Sequence, residues 1–279
     1  MTATWKEAEP PVLPPPTPAQ KIRGAVRLVA VFWVTLTLLA LFMLGRGLKA
    51  VFGPRIVFHY AMARLWSRLM LAIFGLKPVV RGAPVRRGGV LTANHASWLD
   101  IIALRHAART NFVSKAEVRA WPGVGAIAAI CETVFIERKR TAAKRQQEEL
   151  HRRIVADELL CIFPEGTSTD GLRVLPFKST LMSVLFIEGV HEQALVQPVS
   201  VIYRVPPKLD LPVNFYGWWG SMPFGAHVWA VACRSSGGVV EVIFHEAARA
   251  ADWTDRKALT QHCEIAVRGG FESSVPQKF

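Results

Sequence analysis

His95 and Asp100 stand five residues apart in VLTANHASWLDIIAL, residues 90–104. An imidazole can act as a general base near neutral pH, and a carboxylate at its second ring nitrogen fixes the tautomer and stabilises the imidazolium that forms. The β-prone VLTA ends at Asn94, which tolerates turn geometry, and HASWLDIIAL continues with Trp98, Ile101 and Ile102 at helical spacing. His95 is therefore expected at the C-terminal end of a strand, where α/β sheets present functional groups. Asp100 then falls in the following helical turn, from which its side chain curls back. A capping histidine and an unrelated surface acid would show the same spacing, so the pair gains meaning only from its company.

That company lies 70 residues downstream, where the apolar run LLCIF enters PEGTSTDG, Pro164–Gly171. Pro164 and Gly166 shape a turn, and Thr167, Ser168 and Thr169 supply hydroxyls and N–H groups able to hold an anion or a polar headgroup. Two basic features follow the same logic: Lys115 in NFVSKAEVRAWPGVG, and Arg138, Lys139 and Arg140 after TVFIE. Singly, each of these has an ordinary explanation as a connecting loop or a solvated charge. No serine stands beside His95 in a GxSxG nucleophile elbow. Cys131, Cys161, Cys233 and Cys263 are scattered without CxxC or histidine at ligand spacing, so no zinc site or disulfide framework is expected.

The elements that must position these residues follow from the texture of the chain. Strands are expected at 90–93, 111–114, 133–136, 159–163, 195–203 and 239–245, with helices at 141–158 and 255–267 between or after them. This alternation predicts an α/β fold with a central mixed β-sheet flanked by helices, occupying residues 79–279. Residues 1–20 are proline-rich and aperiodic and are expected to form a disordered leader. Residues 21–78 are expected to be membrane-associated helices: 28–44 is an uncharged apolar run at the lower limit of a span, and 56–76 is amphipathic with a basic polar face. Basic residues flank the apolar run on both sides, so charge assigns no orientation, and a dip into one leaflet fits as well as a span. A signal peptide fits poorly, since no small-x-small site precedes the next basic residues. Hydrophobic residues make up 51% of the 279 and the formal net charge is +13, which suits an anionic lipid surface. A nucleic-acid partner is not expected, because the charges sit largely in the leader and on a mixed-sign helix, not interleaved with exposed aromatics.

In order, NHASWLD, FVSKAEVRAWPGVG, VFIERKR, FPEGTS and LVQPVSV resemble the motif series of the glycerolipid (lysophospholipid) acyltransferase family, with its NHxxxxD and FPEGT motifs. The resemblance covers residues 94–201 and implies a fatty acyl transfer from an acyl thioester to the free hydroxyl of a lysolipid. His95 would be the general base and Asp100 its orienter, with no covalent acyl-enzyme. Lys115, Arg138, Glu165, Gly166, Thr167, Ser168 and Asp170 would form the substrate site. No metal or cofactor is implied; acyl-carrier protein or coenzyme A would bring the acyl group as co-substrate. The implied location is a bacterial inner membrane, with the catalytic domain on the cytoplasmic side among membrane lipids.

One position departs from the family pattern. Ser168 stands where arginine commonly follows Glu-Gly-Thr, and a hydroxyl offers one neutral donor where a guanidinium holds phosphate with two. EGTSTDG with RVLPFKST resembles instead the subgroup acting on lyso-ornithine lipid, a phosphate-free acceptor, and Asp170 would suit the ornithine amine. The alternatives are a 1-acyl-sn-glycerol-3-phosphate acyltransferase making phosphatidate by the same chemistry, and a non-catalytic lipid-binding homologue.

Overall fold

A computed structural model describes residues 5–274 apart from 54, 56, 87, 122 and 137–139, and for residues 140–144 and 147 the backbone alone. The first helix, α1 (Pro18–Phe52), starts where the sequence has every starting signal. Thr17 caps it and Gln20 completes a capping box, with Pro18 in the first turn. It runs beyond the apolar stretch 28–44 at both ends and stops at Gly53, whose φ of 93° suits glycine. By length and composition it could cross a membrane.

The second helix, α2 (Phe58–Ile73), folds back along the first. Trp66 donates to Thr35 Oγ1 at 2.9 Å, and a Cβ on Gly45 would come within 2.8 Å of the His59 nitrogen, so glycine permits the close approach of the two backbones. Both ends of α1 are tied to the rest of the chain. Arg23 and Arg27 donate to the carbonyls of Cys233, Ala232 and Ser235. Toward the other end, Arg46 donates to Ile130 O and pairs with Glu132 at 3.2 Å. Val29, Phe32, Trp33, Leu36, Met43 and Leu44 remain exposed along its length.

The remaining chain builds one mixed sheet. Its strands are β1 (Leu76–Arg81), β2 (Gly89–Ala93), β3 (Asn111–Lys115), β4 (Val134–Ile136), β5 (Leu159–Ile162), β6 (Leu195–Arg204), β7 (Gly238–Phe244) and β8 (Ala248–Arg249). Their order is β1-β7-β6-β2-β5-β3-β4, with β8 also paired to β6. Strands β6, β2, β5, β3 and β4 run parallel, and β7 is antiparallel to β6. The C-terminal ends of β2, β5, β3 and β6 therefore meet at one edge of the sheet, which is where the candidate residues lie.

Helices cover both faces. One core joins α1, α2, α3 (Leu99–Ala107) and α6 (Phe224–Arg234) to the sheet; the other joins α5 (Arg140–Val155) and α7 (Arg256–Ser274), while α4 (Val124–Ile130) precedes β4. Neighbouring residues of β2 divide between the two, Val90 on one side and Leu91 on the other, as the two-residue period of a strand requires. A strand covered on both faces is apolar throughout, which is why GVLTA shows no alternation.

Two expectations are corrected. Residues 76–81 form β1 beside β7, so the amphipathic helix ends at Ile73. Residues 5–17 are not a free leader: Ala8 O accepts from Trp219 Nε1 at 2.9 Å, Arg234 donates to Pro14 O, and Leu13 packs on the core. Proline excludes local helix and strand here, and tertiary contacts order the segment instead. The aromatic stretch 217–230 contains the start of α6 and a buried Trp219.

Candidate active site

After Ala93 the chain turns through residues 94–98 into α3. Asn94 fixes this turn to the neighbouring strand: its Oδ1 accepts from Val201 N at 2.7 Å, and its Nδ2 donates to Val201 O at 2.9 Å. His95 Nδ1 lies 2.7 Å from Asp100 Oδ2. The same oxygen accepts the N–H groups of Ala96 and Ser97 at 2.8 and 2.9 Å, and Asp100 Oδ1 accepts the Tyr203 hydroxyl at 2.7 Å. Asp100 is fully buried, so these four donors stand in for the water its carboxylate has lost.

A carboxylate only accepts, so His95 Nδ1 carries the proton and Nε2 is left with a lone pair. The side chain is 20% exposed, enough for an incoming group to reach that nitrogen. Phe163 stacks on the imidazole with centroids 4.1 Å apart and planes 19° off parallel, fixing the ring from its face. Burial, reinforced by the charge of Asp100, pushes the Tyr203 phenol well above its usual range, so Tyr203 stays protonated and donates. The arrangement is a base held in one tautomer and one orientation, and it suits proton removal from a hydroxyl that then attacks.

The loop after β5 lies beside His95 because β5 and β2 are neighbours. Glu165 is buried, and both its oxygens are taken by backbone: Oε1 accepts His95 N–H at 2.7 Å and Oε2 accepts Leu175 N–H at 2.9 Å. Burial raises its carboxyl to about 8, against the lowering effect of those two bonds. Its geometry thus clamps the His95 backbone to residue 175. Gly166 sits at φ 69°, a left-handed conformation that suits glycine, and closes the turn through its N–H to Phe163 O. Thr167 Oγ1 accepts from Trp5 N at 3.1 Å, Ser168 is buried, and Thr169 N–H donates to His95 O at 3.0 Å.

Asp170 pairs with a cation of its own chain instead of standing open to a substrate amine. Arg173 Nη2 is 3.0 Å from Asp170 Oδ2 and Arg173 Nε 3.3 Å from Oδ1, while Leu172 N also donates to Oδ1. Lys115 ends β3 at the same edge of the sheet and begins a short 3-10 turn, Ala116–Ala120. Arg138 lies outside the described residues. Asn94 was expected only as a turn residue, and Tyr203, Phe163, Arg173 and Trp5 were not expected at the site. Nothing local marks Tyr203, 103 residues from Asp100, whereas Phe163 was legible as the last apolar residue before PEGTS.

Comparison with known proteins agrees with this geometry. The Acyltransferase family model matches residues 77–202, which include both constellations. A lyso-ornithine lipid O-acyltransferase of Rhodobacter capsulatus is 42% identical over 95% of this chain and 96% of its own length. The enzyme of the same name from Brucella abortus is 34% identical over 78% of this chain and 81% of its own. A 1-acyl-sn-glycerol-3-phosphate acyltransferase of Neisseria gonorrhoeae is 34% identical over 58% and 64%. The crystal structure of the 1-acyl-sn-glycerophosphate acyltransferase PlsC from Thermotoga maritima shares the fold, with a TM-score of 0.65 at 22% identity over 93% of this chain and 99% of that one. With a histidine–carboxylate pair at the edge of this sheet and a relative so similar over nearly the whole of both chains, the protein is an enzyme that belongs to the acyltransferase family.

Proposed function

We propose that this protein moves a fatty acyl group from an acyl thioester, carried by acyl-carrier protein or coenzyme A, to the free hydroxyl of lyso-ornithine lipid. The observation that carries the chemistry is His95, whose Nδ1–H is committed to a buried, fully bonded Asp100 while Nε2 remains accessible. Nε2 takes the proton of the acceptor hydroxyl and the oxygen attacks the thioester carbonyl. The C–S bond then breaks, and the leaving thiolate takes the proton back from the imidazolium. Asp100 orients the ring and stabilises its charged form. Glu165, Gly166 and Thr167 shape the acceptor loop, and Lys115 contributes positive charge at the same edge. The choice of lyso-ornithine lipid rests on Ser168, buried and uncharged, and on the names of the most similar relatives.

The helical hairpin α1–α2 attaches the enzyme to the membrane, on the cytoplasmic side of a bacterial inner membrane. Arg23 and Arg27 bind one end of α1 to the domain and Arg46 binds the other, so the helix lies along the domain with its exposed apolar side in one leaflet. Purified enzyme in detergent, given an acyl thioester with lyso-ornithine lipid or lysophosphatidate, tests the acceptor by release of free thiol. Preference for lyso-ornithine lipid is expected; a strong preference for lysophosphatidate refutes it in favour of phosphatidate synthesis. His95→Ala should lower turnover by at least about 10²-fold while leaving membrane attachment intact. Binding of lysolipid with no thiol release by the wild type would indicate a lipid-binding protein instead.

A further inference from the structure

Residue 168 brings no charge to the acceptor loop, yet the loop holds a guanidinium. Arg173 bonds through Nε and Nη2 to Asp170, which is buried and lies one residue beyond the Thr169 N–H donated to His95 O. Asp170 and Gly171 are packed close to the catalytic turn: a Cβ on Gly171 would lie 3.4 Å from the Ala96 Cβ. The pair engages one edge of the guanidinium, and a guanidinium has five N–H donors, so the other edge is left for a ligand. The Arg173 side chain is 48% exposed while its partner is 2% exposed, so the anchor is inside and the donors reach outward. Its face is held as well, since the guanidinium carbon lies 5.0 Å from the Trp5 ring centre.

Trp5 is itself anchored and buried. Its backbone N–H donates to Thr167 Oγ1, the side chain is over nine-tenths buried, and its indole N–H has no acceptor among the described residues. Three residues later Ala8 O is fixed by Trp219. The N-terminal strap therefore ends as a platform beneath Arg173. Lys178 lies beside Gly166, near enough to meet an added Cβ at 3.2 Å, so Asp170 alone does not cancel the positive charge of the loop. A guanidinium fixed along one edge and one face keeps little side-chain entropy to lose on binding, the condition under which it recognises a planar or tetrahedral oxyanion best.

We propose that Arg173, held between Asp170 and Trp5, binds the anionic group of the acceptor lipid, a carboxylate or a phosphate. This rests on the acyl-transfer reading above. Ornithine carries a carboxylate and lysophosphatidate a phosphate, so the shared chemistry is an oxyanion near the hydroxyl to be acylated. Asp170 and Trp5 are positioning residues, and neither bonds the lipid through its carboxylate or its ring.

The experiment compares wild type, Arg173→Gln, Trp5→Ala and Trp5→Phe in detergent, with lyso-ornithine lipid and lysophosphatidate as separate acceptors, measuring KM for acceptor and for acyl donor. Arg173→Gln should raise the acceptor KM about tenfold or more, as expected for loss of a charge-assisted hydrogen bond, with the donor KM within twofold of wild type. The acceptor whose KM responds more identifies which oxyanion Arg173 reads. Trp5→Ala should act in the same direction by about threefold, and Trp5→Phe, which retains a ring under the guanidinium, should recover most of that loss. Acceptor KM values changing less than threefold in Arg173→Gln with both lipids overturn the proposal, as does an equal rise in donor KM. Failure of the wild type to acylate either lipid would strike the function itself, not the role of Arg173.

Discussion

Replacing Asp100 with asparagine tests the catalytic turn most sharply, because its geometry dictates which way the amide must lie. Asp100 Oδ2 accepts three N–H groups, from His95, Ala96 and Ser97, whereas Oδ1 accepts only the Tyr203 hydroxyl. An amide NH2 at the Oδ2 position would oppose two fixed backbone N–H groups and forfeit both bonds, at about 0.5–1.5 kcal/mol each before any donor–donor repulsion. At the Oδ1 position it meets a phenol oxygen that can accept instead. The asparagine oxygen therefore takes the Oδ2 place, His95 keeps its proton on Nδ1, and Nε2 keeps its lone pair. What is lost is the charge opposite the imidazolium. A charge-assisted hydrogen bond contributes about 1.5–3 kcal/mol and a neutral one about 0.5–1.5, so the difference is about 1–2 kcal/mol, or about 5- to 30-fold in rate. A histidine forced into the wrong tautomer costs about 10⁴-fold instead. The assay is kcat/KM for thiol release with saturating acyl donor, on protein whose thermal unfolding shows it folded. A loss of 10³-fold or more would mean that the amide lies the other way, and a loss under twofold would mean that Asp100 does not serve His95.

Other expectations follow from single contacts. Tyr203→Phe removes one of the four donors to a buried carboxylate and should lower stability by about 1.5–3 kcal/mol in denaturant titration, while turnover falls less than in His95→Ala. Gly166→Ala places a side chain at φ 69° and should destabilise by about 1–2 kcal/mol, measurable as a lower unfolding midpoint. His227 is buried, accepts from Trp98 Nε1 at Nδ1, and is held at about 4 by that burial. Its unfolded form binds a proton near 6.5, so the stability it contributes is full above pH 6.5 and is lost as pH falls toward 4, by about 3 kcal/mol. His227→Gln, which keeps an acceptor and a donor, should flatten that slope between pH 4 and 6.5; an unchanged slope would assign it to other groups. Glu165 has the opposite sign: its carboxyl is raised to about 8, so its contribution is present below pH 4.5 and declines as pH rises through 8, and Glu165→Gln should remove that decline.

Much of the candidate site was legible because its geometry is local. Five residues across one strand-to-helix turn bring a histidine and a carboxylate together whatever the rest of the chain does, and the expected strand at 90–93 became Gly89–Ala93. The second constellation was legible for a related reason: parallel strands covered on both faces are short apolar runs, and LLCI is separated from the PEGTS loop by Phe163 alone. The helix at 140–155 and the strand at 195–204 likewise matched their patterns within a few residues.

What residues do at a distance was decided by the tertiary structure. Tyr203 reaches Asp100 only because β6 lies beside β2 in the sheet, an adjacency that no spacing along the chain encodes. Glu165 read as a group facing substrate, but its two oxygens meet backbone N–H groups that register alone brings within reach. Asp170 read as open to an amine, and the fold answered its charge with Arg173, set on the Trp5 platform. The proline-rich segment shows the same division most plainly. Its composition predicted a disordered leader over residues 1–20, since periodicity reports only how a segment would bury its own regular face; residues 5–17 hold no helix or strand, but 18–20 already open α1. Whether it stays free depends on partners supplied by Trp219 and Thr167 more than 150 residues away, and those partners exist only once the sheet has formed.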